Sequence, residues 1–281
     1  MAERPLDGKV AIVTGAASAM GLGRAIALAF AEAGARVAMV DVDRARLEER
    51  LSEIRAGAGP ECAIPIVADI GDPAAADAVV KETIAKLGGL HIVVNNAGLH
   101  HGRIMGRPTL DIDFWDISPE LWTRIITVNL SGPFFLARAA VGHLRAQKWG
   151  RIIGVTTSLD TMYRKGGSPY GPSKAAHEAF IATIAQDLEG SGVTANVLVP
   201  GGAANTNLIP DGAFDRSKLI QPEVMRVPAV WLASSASDGF NGRRLIAYHW
   251  DERLPLKERL AKAVAPAAWP QLGAQAVLPK A

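Results

Sequence analysis

The 281-residue chain has a single cysteine, Cys62, so no disulfide can close within it. That scarcity fits a reducing compartment. The opening MAERPLDGKV lacks the long apolar core of a secretory signal. Nowhere does an uninterrupted apolar run reach the roughly 18 residues of a membrane span. A cytoplasmic protein without a membrane partner is therefore expected. One-sided charge is missing too: 30 Lys and Arg stand against 28 Asp and Glu, with no basic cluster. Nucleic acid is not an expected partner. Internal repeats and linker-like stretches are also absent, so one large domain is expected over residues 1–250. Residues 251–281 differ in character. They carry Pro255, Pro266, Pro270 and Pro279 and are expected to form a C-terminal extension, an arm or a lid.

What the chain does contain is alternation. Short runs that are apolar throughout, at 9–14, 36–41, 63–67, 91–95, 151–155, 194–199 and 244–247, are separated by longer segments with helical periodicity. Ser118 and Pro119 form a helix start, since serine caps free N–H groups and proline suits the first turn. That helix is expected to run past Asn129 towards Arg145, with a break near Gly132–Pro133. Another is expected from about Pro172 to Leu188. Uniformly apolar strands joined by helices imply a parallel sheet covered on both faces. The expected fold is α/β, a doubly wound Rossmann-type sheet of seven parallel strands with helices on both faces. Its ligand would sit at the carboxyl ends of the strands.

The first strand leads into VTGAASAMGLGRAIA (13–27), a glycine-rich turn opening a helix. Free N–H groups near Gly21–Gly23 would face a pyrophosphate. Gly15, Ser18, Met20, Gly21 and Leu22 are the candidate contacts. Asp41 ends the second strand, where a carboxylate accepts from ribose hydroxyls and repels a 2′-phosphate. NAD is therefore expected over NADP, although Arg44 and Arg46 lie close by in sequence. Asp43 is a second candidate carboxylate.

SPYGPSKAA (168–176) places Tyr170 and Lys174 on one helical face. An ammonium near a phenol lowers its pKa and suits the tyrosine to acid–base work on an alcohol or carbonyl. Upstream, a strand ends in Thr156, Thr157 and Ser158, whose hydroxyls would emerge at the same sheet edge. With NNAG (95–98), VNLSG (128–132) and VPGG (199–202) in this order, the chain resembles the short-chain dehydrogenase/reductase family over roughly residues 8 to 247.

The resemblance implies an oxidoreductase moving a hydride between NAD(H) and a secondary alcohol or ketone. Tyr170 would exchange the proton with the substrate oxygen. Lys174 would lower the tyrosine pKa and hold the nicotinamide ribose. Asn129 would interrupt its helix and hold a water in a relay to Lys174. Ser158 would position the substrate, with Thr157 the alternative because it has the family's usual distance from the tyrosine. Asn95, Asn96, Ala97 and Gly98 would line the adenine–ribose side, with Asp69 and Ile70 near adenine. Pro200, Gly201 and Thr206 would border the nicotinamide. A homotetramer or dimer is implied as well. Reduction of a C=N or C=C bond, and a non-catalytic dinucleotide sensor, are the alternatives.

Four departures qualify the resemblance. The turn carries two residues more than TGxxxGxG. That longer spacing resembles divergent enoyl reductases, but their wider Tyr–Lys spacing would require a tyrosine where Gly167 stands. The strand-end serine is shifted by one. The stretch Leu99–Glu120 is long, and its Ile104, Met105, Phe114 and Trp115 could wall a substrate. Its His100–His101 pair suggests a polar substrate contact rather than a metal site, since no spaced partner ligands accompany it. The closing Asp-Gly-Gly of the family is absent. The segment between Thr206 and Gln221, often the substrate lid, is short, so the long loop and the tail are expected to take over its work.

Overall fold

The computed structural model describes residues 4–107 and 112–272. Seven parallel strands form the sheet: β1 (Val10–Thr14), β2 (Arg36–Asp41), β3 (Ala63–Val67), β4 (Ile92–Asn95), β5 (Gly150–Val155), β6 (Val193–Val199) and β7 (Arg243–Ile246). An eighth, β8 (Val264–Pro266), joins β7 antiparallel, giving the order β3-β2-β1-β4-β5-β6-β7-β8. The expected seven strands are thus eight. The tail supplies the extra one, and Pro266 is tolerated there because the strand lies at the sheet edge.

The order reverses at β1, which pairs with β2 on one side and β4 on the other. There the connections diverge to opposite faces and open a crevice at the strands' carboxyl ends. Helices α1 (Leu22–Glu32), α2 (Arg44–Ala58) and α3 (Pro73–Leu87) make the first crossovers. Asp43 caps α2 by accepting from the Arg46 N–H at 3.1 Å. Asp72 caps α3, Pro73 fills its first turn and left-handed Gly88 closes it. A short α4 (His101–Ile104) follows β4.

Ser118 caps α5 (Pro119–Ile126), as its sequence indicated. A π turn at Thr127–Ser131 then leads into α6 (Gly132–Ala146). The break in this helix therefore falls on Asn129, just ahead of Gly132–Pro133. By length and composition alone, Pro119–Ala146 could cross a membrane. In the fold, α6 lays Leu136, Ala137, Ala140 and Leu144 on the sheet as a core helix. After β5 come α7 (Leu159–Tyr163) and α8 (Tyr170–Asp187), and after β6 comes α9 (Arg226–Ala233).

Two apolar layers sandwich the sheet. Ile26 and Phe30 of α1 meet Ala229 and Leu232 of α9 on one face. Val79, Leu136, Leu144 and Ile181 fill the other. Fully burying a side chain of this size stabilises by about 1.5–3 kcal/mol, so these layers hold the strand ends in place.

The tail is more than an extended arm. Helix α10 (Leu256–Ala263) precedes β8, and the Ala268 N–H donates to the buried Glu178 Oε1 at 3.3 Å. Truncation before Val264 uncovers the edge of β7 and removes that donor. A fall of several degrees in melting temperature is expected, because one or two lost buried hydrogen bonds cost about 1–3 kcal/mol. An unchanged melting curve would show that β8 contributes nothing.

Candidate active site

The glycine turn is fixed from below. Gly15 and Ala16 donate backbone N–H groups to Val40 O, at 2.8 and 3.3 Å. Asn96 Nδ2 donates to Thr14 O at 2.8 Å, and the Thr14 hydroxyl accepts from Asn96 and Ala97 N–H, each at 3.0 Å. A Cβ on Gly23 would stand 2.4 Å from Gly15 O, so the start of α1 can press onto the turn only without a side chain. The chain then folds back through Gly21 N–H to Ser18 O at 3.0 Å. The exposed Ala19–Met20 tip of the turn lies between Ser18 and Gly21. Gly21 caps α1 without a side chain, leaving the first N–H groups of that helix open.

Asp41 is tied into this turn. Its Oδ2 accepts from Ala17 N–H at 3.0 Å, and its Oδ1 from Val42 and Asp43 N–H at 2.8 and 3.3 Å. Oδ2 keeps a lone pair for another donor.

At the far end of the crevice lie Tyr170 and Lys174, on the first turns of α8. Burial pushes the Tyr170 phenol up to about 12, against the pull of a hydrogen bond with the Thr157 hydroxyl. Burial lowers Lys174 to about 8, and its Nζ donates to Val155 O at 2.9 Å. The expected lowering of the tyrosine pKa by Lys174 is therefore not found. Desolvation of the phenolate raises the value, and the ammonium faces a carbonyl. Ser158, the first choice for the positioning hydroxyl, lines the second cavity together with Thr157; its Oγ pairs with Thr161 Oγ1 at 2.7 Å, while Thr157 meets the phenol. Ser158 stands at the N-cap position of α7, where its side chain makes no cap hydrogen bond.

Asn129 is fully buried. Its Oδ1 accepts from Leu99 N–H at 2.7 Å, and its Nδ2 donates to Leu99 O at 3.0 Å and Ser173 Oγ at 2.9 Å. A Cβ on Gly98 would lie 3.4 Å from both Asn129 Oδ1 and Lys174 Nζ, so these two groups flank the same glycine.

Beneath the end of β5, buried Glu178 pairs with Arg244 and accepts from the Thr156 hydroxyl at 3.0 Å, while Arg244 Nη2 donates to Thr157 O at 2.6 Å. Above, residues 203–221 fold over the crevice. Arg216 ties that segment together through Asn205 Oδ1, Ile209 O and Asp211. Arg103 at the end of α4 pairs with Asp211 at 3.1 Å.

Two adjoining cavities of about 330 and 340 Å³ fill this crevice. The first reaches Gly15, Ser18, Gly21, Leu22, Asp41, Asn96, Gly98, Tyr170, Lys174 and Thr206. The second holds Ser158 and Pro200 and shares Tyr170 and Thr206. Other expected contacts are not among the residues that line these two cavities. Met20 is at the exposed turn tip. Asp69 pairs with Arg124 at 2.8 Å, and Ile70 packs over Gly132. Ala97 packs into the core beside the crevice, and Gly201 presses on Tyr248.

Of the apolar wall expected from 99–120, only Ile104 reaches a cavity. Phe114 and Trp115 meet edge to face at the surface, each 69 % exposed, and residues 108–111 lie outside the described ones. The short segment 203–221 roofs the crevice itself, through Asn207, Leu208, Ile209 and Phe214. The tail borders a separate cavity behind Ser158 and Arg244. Sequence reasoning missed Ser173, Glu178, Arg244 and this roof, because their partners are distant in sequence and no local spacing marks them.

Known proteins repeat this arrangement. A short chain dehydrogenase of Pseudocercospora fijiensis is 37 % identical over 211 residues, 75 % of this chain and 64 % of that protein. The (2S)-[(R)-hydroxy(phenyl)methyl]succinyl-CoA dehydrogenase subunit BbsD of Thauera aromatica is 35 % identical over 196 residues, 70 % of this chain and 73 % of its own length. The crystal structure of 3-ketoacyl-(acyl-carrier-protein) reductase from Brucella melitensis with NADH superposes with a TM-score of 0.72 at 28 % identity, covering 83 % of this chain and 93 % of that one. The family model for short chain dehydrogenases matches residues 9–211, and with the fold and the ordered motifs around the crevice this places the chain in the short-chain dehydrogenase/reductase family.

Proposed function

We propose that the protein transfers a hydride between NAD(H) and a secondary alcohol or ketone, with Tyr170 as general acid and base. The observation that carries this reading is convergence. Tyr170, Thr157 and Lys174 stand at one end of a continuous crevice, and the glycine turn with Asp41 stands at the other. The residues fit a dinucleotide. The open N–H groups after Gly21 suit a pyrophosphate. Ser18 Oγ is buried without a partner among the described residues. The free lone pair of Asp41 Oδ2 suits a ribose hydroxyl and repels a 2′-phosphate. Arg46 also borders the crevice and favours NADP, but Asp43 Oδ2 holds its guanidinium at 3.3 Å. A homo-oligomer, dimer or tetramer, belongs to the same proposal, supported by exposed Phe134 on α6 beside Phe180 on α8.

When bound, the nicotinamide supplies or accepts the hydride. The protein manages the proton. A phenol pushed up to about 12 is protonated near neutrality, so Tyr170 stands ready to donate to a carbonyl oxygen during reduction. The Thr157 hydroxyl holds that same oxygen in place. Lys174 at about 8 exchanges a proton near neutrality and returns one to the tyrosine side of the site. Asn129 and Ser173 hold the Leu99 backbone, and with it the Gly98 wall, against Lys174.

Three outcomes are expected. Tyr170→Phe removes nearly all turnover of a ketone panel, a loss of at least about a hundredfold, while the fluorescence change on NADH binding persists; retained turnover would refute the role. In a fluorescence titration of the wild type, NADH binds at least about tenfold more tightly than NADPH, and the reverse order overturns the reading of Asp41. Stability follows Lys174: its pKa falls from 10.5 to about 8 on folding, so the unfolded chain binds more protons between those values. The wild type should therefore gain stability relative to Lys174→Met as pH rises from about 8 to about 10. A difference flat with pH would show that the ammonium is not desolvated.

A further inference from the structure

We propose that His100 sets substrate specificity: its Nε2–H donates a hydrogen bond to a second substrate oxygen, carried on the carbon next to the reacting one. The inference rests on the oxidoreductase reading above and adds a residue that the family motifs do not include. His100 follows NNAGL at the end of β4 and borders both cavities, with only 8 % of its surface exposed. Its ring lies 4.7 Å from that of Tyr170, centre to centre, tilted by 47°. The His101 ring stacks behind it at 4.3 Å, so His100 is held on both sides.

The tautomer follows from one contact. His100 Nδ1 accepts the Gly102 N–H at 3.1 Å. A backbone N–H only donates, so Nδ1 carries no proton and the neutral ring carries it on Nε2. Burial, aided by the neighbouring His101 and Arg164, pushes the imidazole down to about 3, so the ring stays neutral at working pH. Among the described residues Nε2–H has no acceptor, and it is not sealed from the crevice.

The two cavities that His100 borders combine apolar lining, Leu22, Ile104, Leu208 and Ile209, with polar groups such as Thr157, Ser158 and Arg164. An unpaired donor in such a place disfavours a plain hydrocarbon group and favours an oxygen. Because the two rings touch, an oxygen at the Tyr170 phenol and one at His100 belong to neighbouring atoms of a small substrate.

The test compares diacetyl with butanone, which share a carbon skeleton but differ by one neighbouring carbonyl. Initial rates are measured at saturating cofactor for the wild type, His100→Phe and His100→Gln. The diacetyl-to-butanone ratio of kcat/KM should fall about tenfold in His100→Phe, the loss of one hydrogen bond of about 1.4 kcal/mol. His100→Gln keeps a donor and should hold the ratio within about threefold of wild type. Melting curves and cofactor titrations of both variants separate this effect from misfolding. A ratio unchanged in His100→Phe, or lowered equally in both variants, overturns the proposal. A wild type that reduces neither compound faster than Tyr170→Phe overturns the oxidoreductase reading and this inference with it.

Discussion

A carboxylate and a guanidinium meet out of solvent beneath the end of β5, and the chemistry-bearing end of the crevice is arranged around them. Burial alone raises the Glu178 pKa, and Arg244 opposes it. Such a pair persists only where hydrogen bonds satisfy the remaining lone pairs and protons. Here the Thr156 hydroxyl and Ala268 N–H serve Glu178, and Thr157 O serves Arg244. Four segments, β5, α8, β7 and the tail, are thereby pinned to one point. With the Thr157 carbonyl committed to Arg244, its hydroxyl faces the Tyr170 phenol.

The π turn at Thr127–Ser131 obeys the same rule on the other side. A regular helix would leave the Asn129 amide facing apolar neighbours with donors and acceptor unmet. The wider turn lets that amide pair with both backbone groups of Leu99 and with Ser173. Pro133, which has no N–H to lose, follows directly in the first turn of α6. One irregularity in a core helix thus fixes the loop after β4, and that loop carries Gly98 and His100.

The strands were legible because each carries a short, mainly apolar run between helical segments, as a sheet covered on both faces demands. Ser118–Pro119 marked its helix start clearly. The carriers of the site, Gly15, Gly21, Asp41, Tyr170 and Lys174, announced themselves through spacing along single elements. What stayed hidden depends on contacts across the chain. Thr157 and Ser158 are adjacent and line the same cavity, and only the fold shows that the Tyr170 phenol meets Thr157 while Ser158 pairs with Thr161. Glu178 and Arg244 are 66 residues apart with no motif joining them. Asp69 lies two residues past the end of β3 and pairs with Arg124 of α5, a partner distant in sequence. Helix α9 contains Pro228, and β8 lies among prolines, so local propensity argued against both.

Asp41 shows how tightly shape and preference are bound together here. One oxygen of its carboxylate is the acceptor that holds Ala17, and so the whole enlarged phosphate turn, against β2. Cofactor choice is thus not an independent dial on this scaffold. Redesigning the pocket for a 2′-phosphate by removing the carboxylate would orphan the Ala17 N–H and loosen the turn in the same stroke. Under the proposed function, a redesign towards a 2′-phosphate must first supply a new acceptor for the Ala17 N–H.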